Sequence, residues 1–335
     1  MSKRGIVVVN TGSPDNPSPE AVGEYLERFL SHPRIVPMNE KAWSIIRRLF
    51  IIPKRSKESA KKYEVIWTDE GFTFTRDHDL LAKKVARALA GRGEKAAVAF
   101  AMSFGKPDIE TVLGKLRDAG CDSVAVLPLY PQNAYSQAYI VADQVRDALA
   151  SLEWDVDCAI IGDYNSNETY LKALADSIRD AGFDPSRGDR LLMAFHSIPR
   201  VDVENGDTYA ATTKATCLAL ARSLSIPDKQ WVQGFQSRFD KGRKWLDPFV
   251  PQILEAWAKE GFDGRLFFVC PNFSVDCLET HYDVELVLRF KWYELLEKND
   301  IDLFDDSFVY VPCLGASDAH VEVILDVLEH PTSYL

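Results

Sequence analysis

The residues best suited to chemistry lie in the run Cys270-Pro271-Asn272-Phe273-Ser274-Val275-Asp276-Cys277-Leu278-Glu279-Thr280-His281-Tyr282-Asp283. Asp276, Glu279 and Asp283 are spaced three and four apart, a spacing that stacks side chains on one helix face. Acids in a first helical turn also complement the helix dipole, and that reading competes with a chemical one. A third acid one turn further on favours a path for a divalent cation. Val287 holds the next i+4 position, so the row stops at Asp283. The second candidate is Phe195-His196-Ser197-Ile198-Pro199. A histidine ending an apolar run suits proton transfer or metal contact, although a lone histidine is more often a satisfied core residue. Carboxylates and an imidazole together suit a first-row divalent metal.

Other motifs also follow apolar runs. Asn10-Thr11-Gly12-Ser13-Pro14-Asp15 lacks both GxGxxG spacing and the lysine of a P-loop, and a tight strand-to-helix turn explains it equally well. Pro128-Leu129-Tyr130-Pro131-Gln132-Asn133-Ala134-Tyr135-Ser136 fixes its backbone with two prolines and gathers Tyr130, Tyr135 and Ser136 where a ligand would lie. A Tyr130 simply packed in the core is the alternative. Gln236-Ser237-Arg238-Phe239 and Trp245-Leu246-Asp247-Pro248 complete the set. Arg238 has the chemistry to orient an acid or bind a carboxylate.

The elements that must carry these motifs follow from periodicity. Short apolar runs at 6–10, 97–101, 123–127, 157–161, 191–195, 231–235, 266–270 and 308–311 read as strands. Helical patterns at 19–30, 78–90, 107–119, 138–149, 168–180, 209–224, 248–259, 276–297 and 318–328 lie between them. Continuously apolar strands alternating with helices predict an α/β fold with parallel sheets in right-handed βαβ units. The pattern runs twice, with a break at 182–189. The expectation is two similar doubly wound, Rossmann-like lobes, 1–182 and 183–335. Each has a four-stranded parallel sheet, and the two face a cleft. Chemistry then belongs beyond the carboxyl ends of the strands.

Composition narrows the function. A chain of 335 residues with 46% hydrophobic and 27% charged residues is globular rather than disordered or fibrous. A net charge of −11 argues against nucleic-acid binding. The six cysteines form no CxxC pair, which suits reduced thiols in a cytoplasmic protein. No signal peptide or membrane span is expected. One region reverses the acidic trend. From Lys41 to Lys62 there are Lys41, Arg47, Arg48, Lys54, Arg55, Lys57, Lys61 and Lys62 against the single acid Glu58, around an apolar stretch at 43–52. Either a helix packs on the sheet with a solvated basic face, or an apolar, basic lip receives a greasy anionic ligand or touches an anionic membrane.

Taken together, Asn10-Thr11-Gly12-Ser13-Pro14, Leu127-Pro128-Leu129-Tyr130-Pro131-Gln132, Phe195-His196-Ser197-Ile198-Pro199, Gly206-Asp207-x-Tyr209, Phe235-Gln236-Ser237-Arg238-Phe239, Trp245-Leu246-x-Pro248 and Asp276-Cys277-Leu278-Glu279-Thr280 resemble, in order and spacing, the ferrochelatases. The resemblance spans essentially the whole chain. It implies two four-stranded parallel sheets around a porphyrin cleft, and insertion of Fe2+ into protoporphyrin IX to make protohaem. Coproporphyrin III or another tetrapyrrole is the alternative substrate, and a non-catalytic haem or porphyrin carrier a weaker one. The resemblance also implies roles. His196 matches the active-site histidine and Glu279 its partner acid, the two with Asp283 being the metal ligands. Asp276 matches a supporting acid, and Asp283 an acid that conducts metal or protons. Tyr130 matches a tyrosine near the macrocycle, with Thr11, Ser136 and Arg238 as further substrate contacts.

Departures from the family pattern fall at Asp69-Glu70-Gly71-Phe72-Thr73-Phe74, where Phe72 and Thr73 replace Ser and Pro of Gly-Ser-Pro-Leu. Thr11 departs too, being neither the Tyr of many coproporphyrin users nor the Leu or Met of protoporphyrin users. Iron is expected as substrate, with no tightly bound cofactor and no iron–sulfur cluster. The partners expected are porphyrin and ferrous iron, with no nucleic acid and a transient membrane-surface contact through 41–62. The chain is expected as a monomer or homodimer, cytoplasmic or peripheral at the inner membrane face.

Overall fold

The apolar runs become strands β1 (Arg4–Asn10), β2 (Ala96–Met102), β3 (Ser123–Pro128), β4 (Asp157–Ile160), β5 (Arg190–His196), β6 (Trp231–Gln236), β7 (Leu266–Val269) and β8 (Phe308–Val311). The computed structural model describes residues 3–238, 240, 242–261, 264–302 and 306–335. Among them the strands form two four-stranded, all-parallel sheets, ordered β2-β1-β3-β4 and β6-β5-β7-β8. The same order occurs twice, as the duplicated pattern predicts. Each sheet buries its apolar faces under helices. Val7, Val9 and Val126 pack against Val141 and Val145 in the first, and Leu192, Ala194 and Phe268 against Leu254 and Trp292 in the second.

In a sheet of this order the strand direction of winding reverses beside the first strand, and ligands bind at that switch point. The two switch points are the carboxyl ends of β1 with β3, and of β5 with β7. All the strand-end motifs of interest flank these four ends or the end of β6.

The chain divides into two compact units, Met1–Asp163 with Ala316–Leu335, and Tyr164–Gly315. Compactness therefore divides the chain differently from the sequence break at 182. Helix Glu168–Asp180 packs on helix Tyr209–Ser223 in the second unit. Helix Asp318–Glu329 returns to helix Thr73–Gly91 in the first, where Lys84 meets Asp318 at 2.7 Å.

Two local differences from the sequence expectation have clear causes. The helix expected at 78–90 starts earlier, at Thr73. Its start is set by aromatic packing: Phe72 stacks on Trp67 and Phe74 and meets Tyr63 edge-on at 5.5 Å. The unusual Phe72 is thus a core residue of the first unit.

The basic stretch is a continuous helical segment, α-helical at Glu40–Ile46, π-helical at Arg47–Ile51 and α-helical again at Ile52–Ile66. Most of it follows the usual amphipathic arrangement, with Trp43, Ala60 and Tyr63 buried and Lys41, Arg48, Lys54, Lys57 and Lys61 exposed, but around Arg47 the polarity is reversed. Arg47 is buried, its Nη2 at 3.0 Å from Glu27 and 3.2 Å from Glu40, and its guanidinium holds the Glu27 carboxyl below the usual range. Ile45, Leu49 and Phe50 point out, 59%, 65% and 67% exposed. No helix among the described residues is long and apolar enough to cross a membrane.

Candidate functional site

In the second unit, β5 delivers His196 to the sheet's carboxyl edge. Its Nδ1 lies 2.7 Å from the Ser197 carbonyl oxygen, which can only accept, so Nδ1 carries the proton. In the neutral ring Nε2 is then a bare acceptor. The backbone carbonyl of His196 accepts a hydrogen bond from the Tyr209 hydroxyl at 2.9 Å, and Tyr209 is fixed in turn by its N–H to Asp207 at 2.8 Å. Burial, with the Glu279 charge adding, pushes the Tyr209 phenol well above its ordinary value and keeps it a neutral donor.

Across from the imidazole stands Glu279, Oε1 at 3.7 Å from Nε2. Its other oxygen accepts from the Ser237 hydroxyl at 3.1 Å. Ser237 adopts the left-handed region at φ 64°, uncommon for a residue other than glycine, Asn or Asp. That turn at the end of β6 aims the hydroxyl at Glu279. Two acceptor atoms therefore face each other, both side chains about 30% exposed. What bridges such a pair is a proton, an N–H donor or a cation.

The row of three acids is arranged differently from the α-helical expectation. Helical structure begins only at Leu278, and Glu279–Leu288 is π-helical, with i→i+5 bonds replacing the i→i+4 ladder on which the spacing argument rested. Asp276 lies ahead of the helix. Its carboxylate accepts from the Tyr310 hydroxyl at 2.5 Å and from the Cys313 N–H at 3.2 Å. Asp283 is half-buried on the π-helix. Among the described residues no three His, Cys, Asp or Glu side chains come together as a metal-holding group, so His196, Glu279 and Asp283 are not a closed ligand set. Burial pushes the thiols of Cys270, Cys277 and Cys313 far up, which keeps them protonated beside this site. Arg238 is exposed and sits over the Phe249 ring, 4.6 Å from its centroid, rather than on an acid. Phe239 lies outside the described residues.

In the first unit, the switch point carries a hydroxyl pair: Thr11 Oγ1 and Tyr130 Oη are 2.7 Å apart. Tyr130 is buried, which raises its phenol far above the ordinary value. Ser136 is half-buried just before helix Ala138–Ser151. The turn holding Thr11 is clamped twice. A Cβ on Gly12, at φ 102°, would lie 2.7 Å from the Gly105 nitrogen, so only glycine fits there. Asn10 accepts from the Thr11 N–H at 2.8 Å, and its amide nitrogen donates to His78 Nε2 at 3.0 Å. His78 Nδ1 donates to the Phe74 carbonyl at 2.6 Å.

Ser237, named only within its motif, and Tyr310 and His78, not singled out at all, have roles that the sequence does not announce. Ser237 and Tyr310 carry no periodic signal, since their roles come from a backbone turn and a strand register. His78 reads as part of a helix face. Tyr209 was visible only as part of a motif.

Comparisons with known proteins show the family and the fold. A family model described as Ferrochelatase matches residues 3–331. The ferrochelatase of Thioalkalivibrio sulfidiphilus is 36% identical over 97% of this chain and 85% of its own length. That of Methylococcus capsulatus is 34% identical over 98% and 96% respectively. Among solved structures, SirB from Bacillus subtilis with Fe3+ aligns at a TM-score of 0.57, covering 99% of this chain and 96% of its own, at 12% identity. At that identity the likeness concerns the fold alone.

The His78 clamp yields a pH dependence. Complete burial pushes its imidazole down to about 4 from 6.5, against the raising effect of the Phe74 bond. The unfolded chain then binds the proton more readily, so His78 contributes stability above pH 6.5 that is lost as pH falls towards 4. The loss amounts to about 3 kcal/mol. In His78→Gln, thermal unfolding across this range should show a shallower acid decline than the wild type. Identical declines would remove His78 from the acid sensitivity.

Proposed function

The chain belongs to the ferrochelatase family, and we propose that it inserts Fe2+ into protoporphyrin IX at the carboxyl end of β5. As a family member it is a metal-chelating lyase that inserts metal into a porphyrin in haem synthesis, with iron and porphyrin as substrates. The finer reading is carried by one observation, the bare Nε2 of His196 facing Glu279 Oε1 at 3.7 Å.

A porphyrin holds two pyrrole N–H protons, and both must leave as a dication enters. The macrocycle must also buckle so that nitrogen lone pairs project from its plane, and walls complementary to the bent ring lower the barrier. His196 Nε2 takes one proton from a pyrrole nitrogen, with the Ser197 carbonyl holding the ring in the accepting tautomer. The imidazolium so formed is stabilised by the Glu279 carboxylate, and the pair becomes neutral overall. Glu279, steadied by Ser237, holds the cation loosely or receives the second proton. Asp283 continues that path along the π-helix. Asp276, engaged by Tyr310, braces the approach. An open set of ligands releases metal to the porphyrin, where a closed one would retain it.

Thr11, Tyr130, Ser136 and Arg238 are assigned as substrate contacts on the family resemblance alone. His196→Ala should lower insertion by at least about a thousandfold, at the upper part of general-base effects, while porphyrin still binds. Near-full activity in that variant would sink the role. Wild-type turnover measured by visible absorbance should favour protoporphyrin IX. A higher kcat/KM with coproporphyrin III would replace the substrate.

The helical segment at 40–66 is assigned to an anionic membrane surface. The support is the outward placement of Leu49 and Phe50 beside exposed Lys41 and Arg48. Co-sedimentation with anionic vesicles should weaken about tenfold in Phe50→Asp, from the loss of one inserted aromatic side chain. Equal recovery of both proteins with anionic and zwitterionic vesicles would refute the contact.

A further inference from the structure

Two buried carboxamides lie at the carboxyl ends of the strands on either side of β5, Gln236 as the last residue of β6 and Asn272 in the turn after β7. Gln236 ends β6 and pairs in register with His196, so the two side chains leave the same sheet face. Asn272 follows β7 on the other side. The β5–β7 ladder ends with Val269 opposite Met193, and Asn272 follows three residues later, at the carboxyl side of the sheet beside its switch point. Gln236 is 6% exposed and Asn272 3%. Both amide atoms of both residues lack a hydrogen-bond partner among the described residues.

A buried amide without partners destabilises a folded protein, and one with donor and acceptor both unmet does so twice. Two such amides at the strand ends on either side of β5 do not arise from packing needs, since Leu or Met would fill the same volume without the loss. The strain next door is of the same kind: Ser237, adjacent to Gln236, is held at a left-handed φ. Such costs collect where a ligand later satisfies them.

We propose that Gln236 and Asn272 form a neutral hydrogen-bonding cradle for the water ligands of the incoming divalent cation. This inference rests on the reading of His196 and Glu279 as the insertion site. A hydrated cation must shed its water before four pyrrole nitrogens can replace it. A carboxamide suits that task, accepting from a water O–H through its oxygen and donating to a water oxygen through its nitrogen. It carries no charge, so it takes water from the metal without trapping the metal itself. Carboxylates in the same places would compete with the porphyrin for the cation.

The test uses Gln236→Met, Asn272→Leu and the double variant of the full chain. Loss of one or two neutral hydrogen bonds should lower kcat/KM for the metal by about 3- to 10-fold per residue. The KM for porphyrin and porphyrin binding read by fluorescence should stay unchanged. Because the amides are unsatisfied in the free protein, their removal should leave the melting temperature equal or higher. The deficit should be larger with Ni2+, which exchanges its water slowly, than with Zn2+. A fall in melting temperature would show structural partners and overturn the proposal. So would a porphyrin-specific defect, which would put the amides on the macrocycle, or unchanged metal kinetics. If the wild type inserted no metal at all, the insertion reading would fail; wild-type activity with unaffected variants would sink the cradle alone.

Discussion

The hydrogen bond from His196 Nδ1 to the Ser197 carbonyl sets the character of the site. A histidine free to choose its tautomer would point Nε2–H at the nearest carboxylate and close the gap. Held as the Nδ1–H form, it presents a lone pair to Glu279 at 3.7 Å instead. Neither group satisfies the other, and the space between them favours whatever brings positive charge. Metal-for-proton exchange needs such a place: attractive to a proton and to a cation in turn, and sufficient to hold neither permanently.

The rest of the second unit serves that arrangement. Tyr209 fastens the His196 backbone, Ser237 fastens one oxygen of Glu279, and Tyr310 with Cys313 engages Asp276. The phenols that do this are buried, and burial keeps them protonated and donating. The first unit repeats the sheet order and puts a hydroxyl pair, Thr11 with Tyr130, at its own switch point. One topology thus supplies an edge with an imidazole facing a carboxylate and an edge with a neutral hydroxyl pair.

Strand positions and the parallel arrangement were legible because continuous apolar runs have few other uses, and His196 stood out as a titratable residue ending such a run. Geometry beyond the periodic elements was not legible. The acids at 276, 279 and 283 suggested an α-helical face, yet the helix starts at Leu278 and runs on as a π-helix, a choice that spacing does not encode. Arg238 stood out by its charge, whereas the neighbouring Ser237 reaches Glu279 through an unusual backbone angle that a serine does not advertise. Arg47 read as part of a solvated basic face and is instead buried between two glutamates, which turns the apolar residues outward. For Ser237 and Arg47 a side-chain partner outside the local pattern, Glu279 in one case and Glu27 in the other, decided the outcome.

The most direct measurement is the tautomer of His196 in mildly alkaline solution, read from the imidazole 15N chemical shifts of the labelled protein. The expected spectrum has Nδ1 protonated and Nε2 bare. A spectrum with the proton on Nε2 would leave no base facing Glu279 and would contradict the proposed chemistry at its first step.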